Sequence, residues 1–98
     1  MHVITYSRLR EFARSHPGAE APLNAWYHIV KRKAYRNSHE VRSDFGGADF
    51  IGKGRVVFDI GGNKYRLVVK MEYKWGKVFI RHIVTHTEYD RLTKSGSL

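Results

Sequence analysis

No cysteine occurs in the 98 residues, which excludes both a disulfide framework and a thiolate metal site and fits a reducing compartment. Proline is found only at Pro17 and Pro22, and no low-complexity tract interrupts the chain. No apolar run approaches the roughly 20 residues that a bilayer span requires, and the N-terminus lacks the basic-then-apolar pattern of a signal peptide. A soluble cytoplasmic protein is therefore the expectation. Acidic side chains are scarce: 9 Asp and Glu stand against 18 Lys and Arg, a formal net charge of +9. Such an excess attracts polyanions, and release of condensed counterions makes nucleic acid the leading partner. No segment joins a strongly basic face to a bulky apolar one, which argues against an interfacial membrane helix. An acidic protein partner is the remaining competitor.

Hydrophobic residues make up 42% and aromatics 13%, enough for the core of one domain spanning residues 1–98. His2-Val3-Ile4-Thr5 reads as a short edge strand. Thr5 or Ser7 can cap a first helix through Leu9, Phe12 and Ala13, which Ser15-His16-Pro17-Gly18 stops. Pro22 suits the first turn of a second helix, with Leu23, Trp26, Ile29, Val30 and Ala34 on its apolar face and Tyr35 to Asn37 ending it. Its Lys31-Arg32-Lys33 segment reads as a solvated face. Ser38 can cap a short helix through Arg42, and Gly46, Gly47, Gly52 and Gly54 mark a loop anchored by Phe50 and Ile51.

From Arg55 the period changes to two. Val56, Phe58 and Ile60 share one face of a strand, with Arg55, Val57 and Asp59 on the other. Gly61-Gly62-Asn63 provides a tight turn, so the next strand returns antiparallel, with Tyr65, Leu67, Val69 and Met71 on one face and Lys64, Arg66, Val68 and Lys70 on the other. Val78 to Thr85 reads as a central strand in which Arg81, flanked by Phe79 and Ile83, lies partly buried and needs an anionic partner. Thr85 or Thr87 then caps a helical turn carrying Glu88, Tyr89, Asp90 and Leu92, and Thr93 to Leu98 reads as a frayed tail. Helices before strands argue for an α+β fold: two N-terminal helices packed on a small, mainly antiparallel sheet, with a short C-terminal helical turn.

The outer face would display Arg66 and Lys70, with His86 and Tyr89 brought near by the end of the last strand. Arginine can hold a phosphate through paired hydrogen bonds, and imidazole or phenol can move protons, which together suit cleavage of a phosphodiester. The block Phe58-Asp59-Ile60-Gly61-Gly62-Asn63-Lys64-Tyr65-Arg66-Leu67, followed by Phe79-Ile80-Arg81 and Thr85-His86-Thr87-Glu88-Tyr89-Asp90, resembles HigB-type toxins of bacterial toxin-antitoxin modules, within the RelE-like superfamily. That resemblance extends over nearly the whole chain and implies a RelE-like fold. It also implies an mRNA interferase that cuts mRNA in the decoding (A) site of the small ribosomal subunit and is inhibited by a cognate helix-turn-helix antitoxin.

Carried over position by position, the resemblance implies that Arg66 and Arg81 hold the scissile phosphate and that His86 and Tyr89 match the terminal catalytic motif. Asp90 would orient His86 or an arginine, while Lys64, Lys70 and Lys94 would add contacts to RNA. The RNA 2′-hydroxyl would attack phosphorus, with His86 or Tyr89 assisting proton transfer and a 2′,3′-cyclic phosphate as product. No metal or small-molecule cofactor is expected, because the nucleophile belongs to the substrate and guanidinium supplies positive charge. His2, His16, His28, His39 and His82 show no metal-ligand spacing with carboxylates. Two other readings stay open: a non-catalytic RNA-binding module, and an inactive toxin-like protein that docks on an acidic partner.

Overall fold

The alternation that begins at Arg55 builds the middle of a five-stranded sheet in the computed structural model, which describes residues 1–98. Strand β3 (Arg55–Ile60) and strand β4 (Tyr65–Glu72) pair antiparallel without a break from Arg55 opposite Lys70 to Ile60 opposite Tyr65. Gly61 and Gly62 both take positive φ angles, 65° and 71°, in the turn between them. Strand β5 (Lys77–Thr85) adds antiparallel to the other side of β4, and β1 (His2–Ile4) lies parallel to its first half at the edge. The opposite edge is β2 (Asp49–Gly52), antiparallel to β3. The order is β1-β5-β4-β3-β2.

Helices α1 (Ser7–Ser15), α2 (Glu20–Arg32) and α3 (Ser38–Asp44) precede the antiparallel strands, and α4 (His86–Ser95) follows them. Leu9, Leu23, Trp26, Val30 and Val41 from the first three helices join Val56, Phe58, Ile60, Leu67, Val69, Met71, Val78 and Ile80 in one buried cluster. Phe58 takes the edge-to-face approach of Trp26 at 5.5 Å and of Phe45 at 4.9 Å. At about 1.5–3 kcal/mol for each fully buried large apolar side chain, this cluster dominates the stabilisation. Val57 and Val68 are equally buried but face the other way, outside the cluster. Helix α4 returns over that outer face, and the residues after it bring the Ser97 backbone to His82, the β5 partner of Val68.

The α+β architecture matches the expected RelE-like arrangement, while several boundaries differ. The glycine-rich stretch before residue 54 contains β2, because Phe50 and Ile51 lie in an extended segment that pairs with β3 through an irregular register. Helix α2 ends at Arg32, leaving Ala34 outside it and exposed, and Ile29 is 39% exposed rather than part of the core face. Neither Thr5 nor Ser7 caps α1. Thr5 instead takes φ 71° to turn the chain out of β1, and Tyr6 occupies the cap position without a side-chain bond. Asn37, not Ser38, caps α3, its Oδ1 accepting the Glu40 N–H at 3.1 Å. The C-terminal turn is a ten-residue helix that includes Thr93 to Ser95 and closes at Gly96, whose φ of 71° supplies a left-handed C-cap. No helix is long and apolar enough to cross a membrane.

Candidate functional site

Arg66 lies on the outer face of β4, opposite Val84 of β5. Its side chain is only 11% exposed, so its charge needs local compensation. Asp59, on the neighbouring strand and directly opposite in register, supplies it: the Arg66 Nε–Asp59 Oδ1 distance is 3.1 Å, and the Asp59 carboxylate is 47% exposed. The two terminal guanidinium nitrogens donate to the Tyr65 carbonyl at 3.2 Å and to Asn63 Oδ1 at 3.0 Å. Above this group, the Tyr89 ring of α4 sits with its centroid 6.0 Å from the guanidinium carbon, at the outer limit of a cation–π contact.

The start of α4 fixes the rest of this end. Thr85 Oγ1 accepts the Glu88 N–H at 3.2 Å, which satisfies one of the free donors of the first turn. The His86 N–H donates to the Lys64 carbonyl at 3.0 Å and ties the helix start to the β3–β4 turn. One helical turn separates His86 from Asp90, and their Nε2 and Oδ2 atoms lie 3.5 Å apart. Arg66 with Tyr89, and His86 with Asp90, thus form two adjoining pairs, one at the end of β4 and one on the first turns of α4.

Arg81 does not join them. The β4–β5 ladder runs regularly from Tyr65 opposite Thr85 to Val68 opposite His82, then resumes with Val69 opposite Ile80, so Arg81 is the extra residue of a β-bulge. The bulge reverses the parity of the strand. Phe79, His82 and Val84 pair with the outer-face residues Lys70, Val68 and Arg66, whereas Ile80 and Ile83 pair with the inner-face residues Val69 and Leu67. The expected shared face of Phe79, Arg81 and Ile83 therefore does not exist. Arg81 is exposed and in no ion pair, so the expected partial burial beside an anion is corrected; the partly buried, paired arginine is Arg66. The bulge lies roughly 8 Å along the strands from Arg66, at about 3.3 Å per residue.

At the bulge a second group of cations gathers around a cleft of about 550 Å³, lined by Arg8, Lys70, Glu72, Phe79, Arg81 and His82, among others. Arg8 reaches from α1, its Nη1 donating to the Arg81 carbonyl at 2.9 Å. Strand β1 extends only as far as Phe79 along β5, so this guanidinium takes the place of a strand partner. Lys70 pairs with Glu72 at 3.3 Å. His82 is pushed toward the neutral imidazole, first by burial and then by the positive charges of Arg81, Arg8 and Arg55, with the Ser97 backbone opposing. Its Nε2 is buried without a hydrogen-bond partner, as is Arg55 Nε on the same sheet face.

Of the expected site residues, Arg66, His86, Tyr89 and Asp90 are brought together, and Lys64 touches them through its backbone. Lys70 and Arg81 share the second cleft, and Lys94 lies in the last turn of α4. Sequence reasoning did not single out Arg8, and it weighed His82 only as a metal ligand. A polar position on an N-terminal helix carries no local sign of a contact 73 residues away. No group of three or more His, Asp or Glu side chains is placed to hold a metal ion.

Comparison with known proteins supplies a frame for this geometry. Residues 19–92 match a family model described as HigB_toxin, the RelE-like toxic component of a toxin-antitoxin system. The chain is 31% identical over 96 residues to a protein of Escherichia coli O6:H1 named mRNA interferase HigB, covering 96% of this chain and 93% of that one. A Shigella flexneri protein of the same name is 29% identical over 96 residues, covering 95% and 91%.

Proposed function

Because the chain belongs to the HigB toxin family of RelE-like toxic components, we propose that it is an endoribonuclease that cuts mRNA on the ribosome and so stops translation. The observation that carries this reading is the juxtaposition of the Arg66–Tyr89 and His86–Asp90 pairs at the junction of β4 and α4. Arg66 is held by three polar neighbours in one orientation, so a phosphate arriving there meets a pre-oriented guanidinium, though one it must share with Asp59. His86 with Asp90 behind it has the arrangement of a base and its orienting group.

In the proposed reaction the 2′-oxygen of the substrate ribose attacks phosphorus as the bond to the 5′-oxygen breaks. His86 accepts the 2′-hydroxyl proton, and Tyr89 or the resulting imidazolium supplies a proton to the departing 5′-oxygen. The products are a 2′,3′-cyclic phosphate and a 5′-hydroxyl end. Arg66 stabilises the charge that builds on the phosphoryl oxygens, and Arg81, further along the same strands, holds the RNA chain. The net charge of +9 supports approach to ribosomal RNA and mRNA alike. A cognate helix-turn-helix antitoxin is the proposed inhibitor.

Mapping mRNA 5′ ends in a reconstituted translation reaction tests this reading. The wild-type protein should produce discrete cuts within the ribosomal A site, insensitive to EDTA, and His86→Ala, Arg66→Ala and Arg81→Ala should each suppress them. Unchanged cutting by folded His86→Ala and Arg66→Ala variants overturns the site assignment. No cutting by the wild-type protein overturns the activity.

A further inference from the structure

We propose that the cleft between α1 and the β5 bulge is a second phosphodiester site for the RNA, gripped by Arg8 and Arg81 together and separate from the Arg66–Tyr89 end. This rests on the reading that the ligand is RNA. It concerns a different part of the surface and a residue, Arg8, outside the motif-bearing strands.

Charge balance is the first support. Three cationic side chains and one carboxylate line the cleft, and that carboxylate, Glu72, is engaged by Lys70. Arg8 and Arg81 thus converge with no counter-anion, an arrangement that an entering phosphate relieves. Geometry is the second. Arg8 spends one N–H on the Arg81 carbonyl, which anchors its guanidinium and leaves four of its five donors free. An anchored fork loses less conformational entropy on gripping a phosphate than a freely rotating one. Phe79, half-buried at the same cleft, offers a stacking surface for a base next to that phosphate, which favours RNA over an acidic peptide.

His82 is the third support. It lines the cleft, its Nε2 buried and unpartnered, and burial first, then Arg81 beside it, Arg8 from α1 and Arg55 from β3, disfavour its protonation while the Ser97 backbone favours it. A phosphate in the cleft would offset those three positive charges, so binding of RNA should raise the pH at which His82 takes up a proton.

The test uses a fluorescent 2′-O-methyl oligoribonucleotide, which lacks the attacking hydroxyl and reports binding without cleavage. Anisotropy is followed across a salt series for wild type, Arg8→Gln, Arg8→Lys and the control Arg14→Gln, which removes the same charge from an exposed position on α1. Arg8→Gln should weaken binding about tenfold and reduce the log–log salt slope by about 0.7, the value for one phosphate of a single strand. Arg8→Lys should recover part of the loss, and Arg14→Gln should cost less than about twofold. Nitrogen-detected NMR of His82 in the wild-type protein gives a readout independent of any variant's folding, and its midpoint should rise when the oligonucleotide binds.

Equal losses for Arg8→Gln and Arg14→Gln, no binding by wild type at low salt, or an unmoved His82 titration overturns the cleft. So does equally tight binding of a poly-glutamate peptide that depends on Arg8. Failure here with intact A-site cutting would leave the proposed activity standing. Arg8-dependent binding without any cutting would do the reverse.

Discussion

Removing a negative charge at Asp59 should make this protein bind RNA more tightly, and the size of the gain follows from the ion pair it would break. At a nitrogen–oxygen distance of 3.1 Å, the Arg66–Asp59 attraction is about 1.3 kcal/mol at the dielectric of water and about 5 kcal/mol at an effective value near 20. Asp59 is 47% exposed, so solvent screening places the net value near the lower figure, about 1 kcal/mol. A phosphate that approaches Arg66 in the native protein must give up or share that much. Asp59→Asn removes the competitor but leaves the Asn63 and Tyr65 oxygens that orient the guanidinium. The expected gain in affinity for a non-cleavable oligoribonucleotide is therefore roughly fivefold, with a loss of about 1 kcal/mol in folding stability. Asp49→Asn serves as the control, since Asp49 is exposed on the adjacent edge strand and in no ion pair. Dissociation constants from anisotropy and chemical denaturation of both variants measure the two effects. A gain no larger than that of the control, or a loss, would mean that phosphate does not reach Arg66 and that the pair only stabilises the sheet.

Three further outcomes are expected. Leu67→Ala, at a fully buried position in the middle of β4, should lower the unfolding free energy by about 2–5 kcal/mol in urea titrations. Thr85→Ala removes the α4 cap and should cost about 1 kcal/mol; because α4 carries His86, Tyr89 and Asp90, hydrogen exchange should show fraying there and mRNA cutting should fall more than the melting temperature suggests. His82, held neutral by burial and by Arg81, Arg8 and Arg55, binds fewer protons folded than unfolded. Its contribution to stability is thus complete above its unfolded value near 6.5 and is lost as pH falls below that value, with a slope no steeper than about 1.4 kcal/mol per pH unit. His82→Gln should flatten that part of the stability profile.

The fold was legible wherever a single period ran unbroken. Arg55 to Glu72 alternates cleanly around a two-glycine turn, and Leu23, Trp26 and Val30 keep helical spacing, so the central hairpin and α2 follow directly from the residues. Strand β2 was not legible because four residues bounded by glycines cannot show a period; its existence depends on the free edge of β3. The length of α4 was missed for a related reason. Thr93 and Ser95 are indifferent helix formers, yet the helix continues through them to the Gly96 cap.

The candidate site divides along the same line. Arg66, His86, Tyr89 and Asp90 were legible because a strand of constant parity and a capped helix set their directions. The same rule fails at Arg81. Phe79-Ile80-Arg81-His82-Ile83 contains no glycine or proline to signal an inserted residue, yet the bulge exchanges the faces of every residue after it. His82 moves onto the outer face opposite Val68, and Arg81 swings to the open edge of β5 where Arg8 meets its carbonyl. The burial expected for Arg81 belongs to Arg66, which consequently required Asp59. The two arginines therefore differ in what they can do for a phosphate. Arg66 offers a fixed direction at the cost of a standing competitor, which suits the atom where bonds change; Arg81 offers uncompensated charge at the surface, which suits capture of the chain.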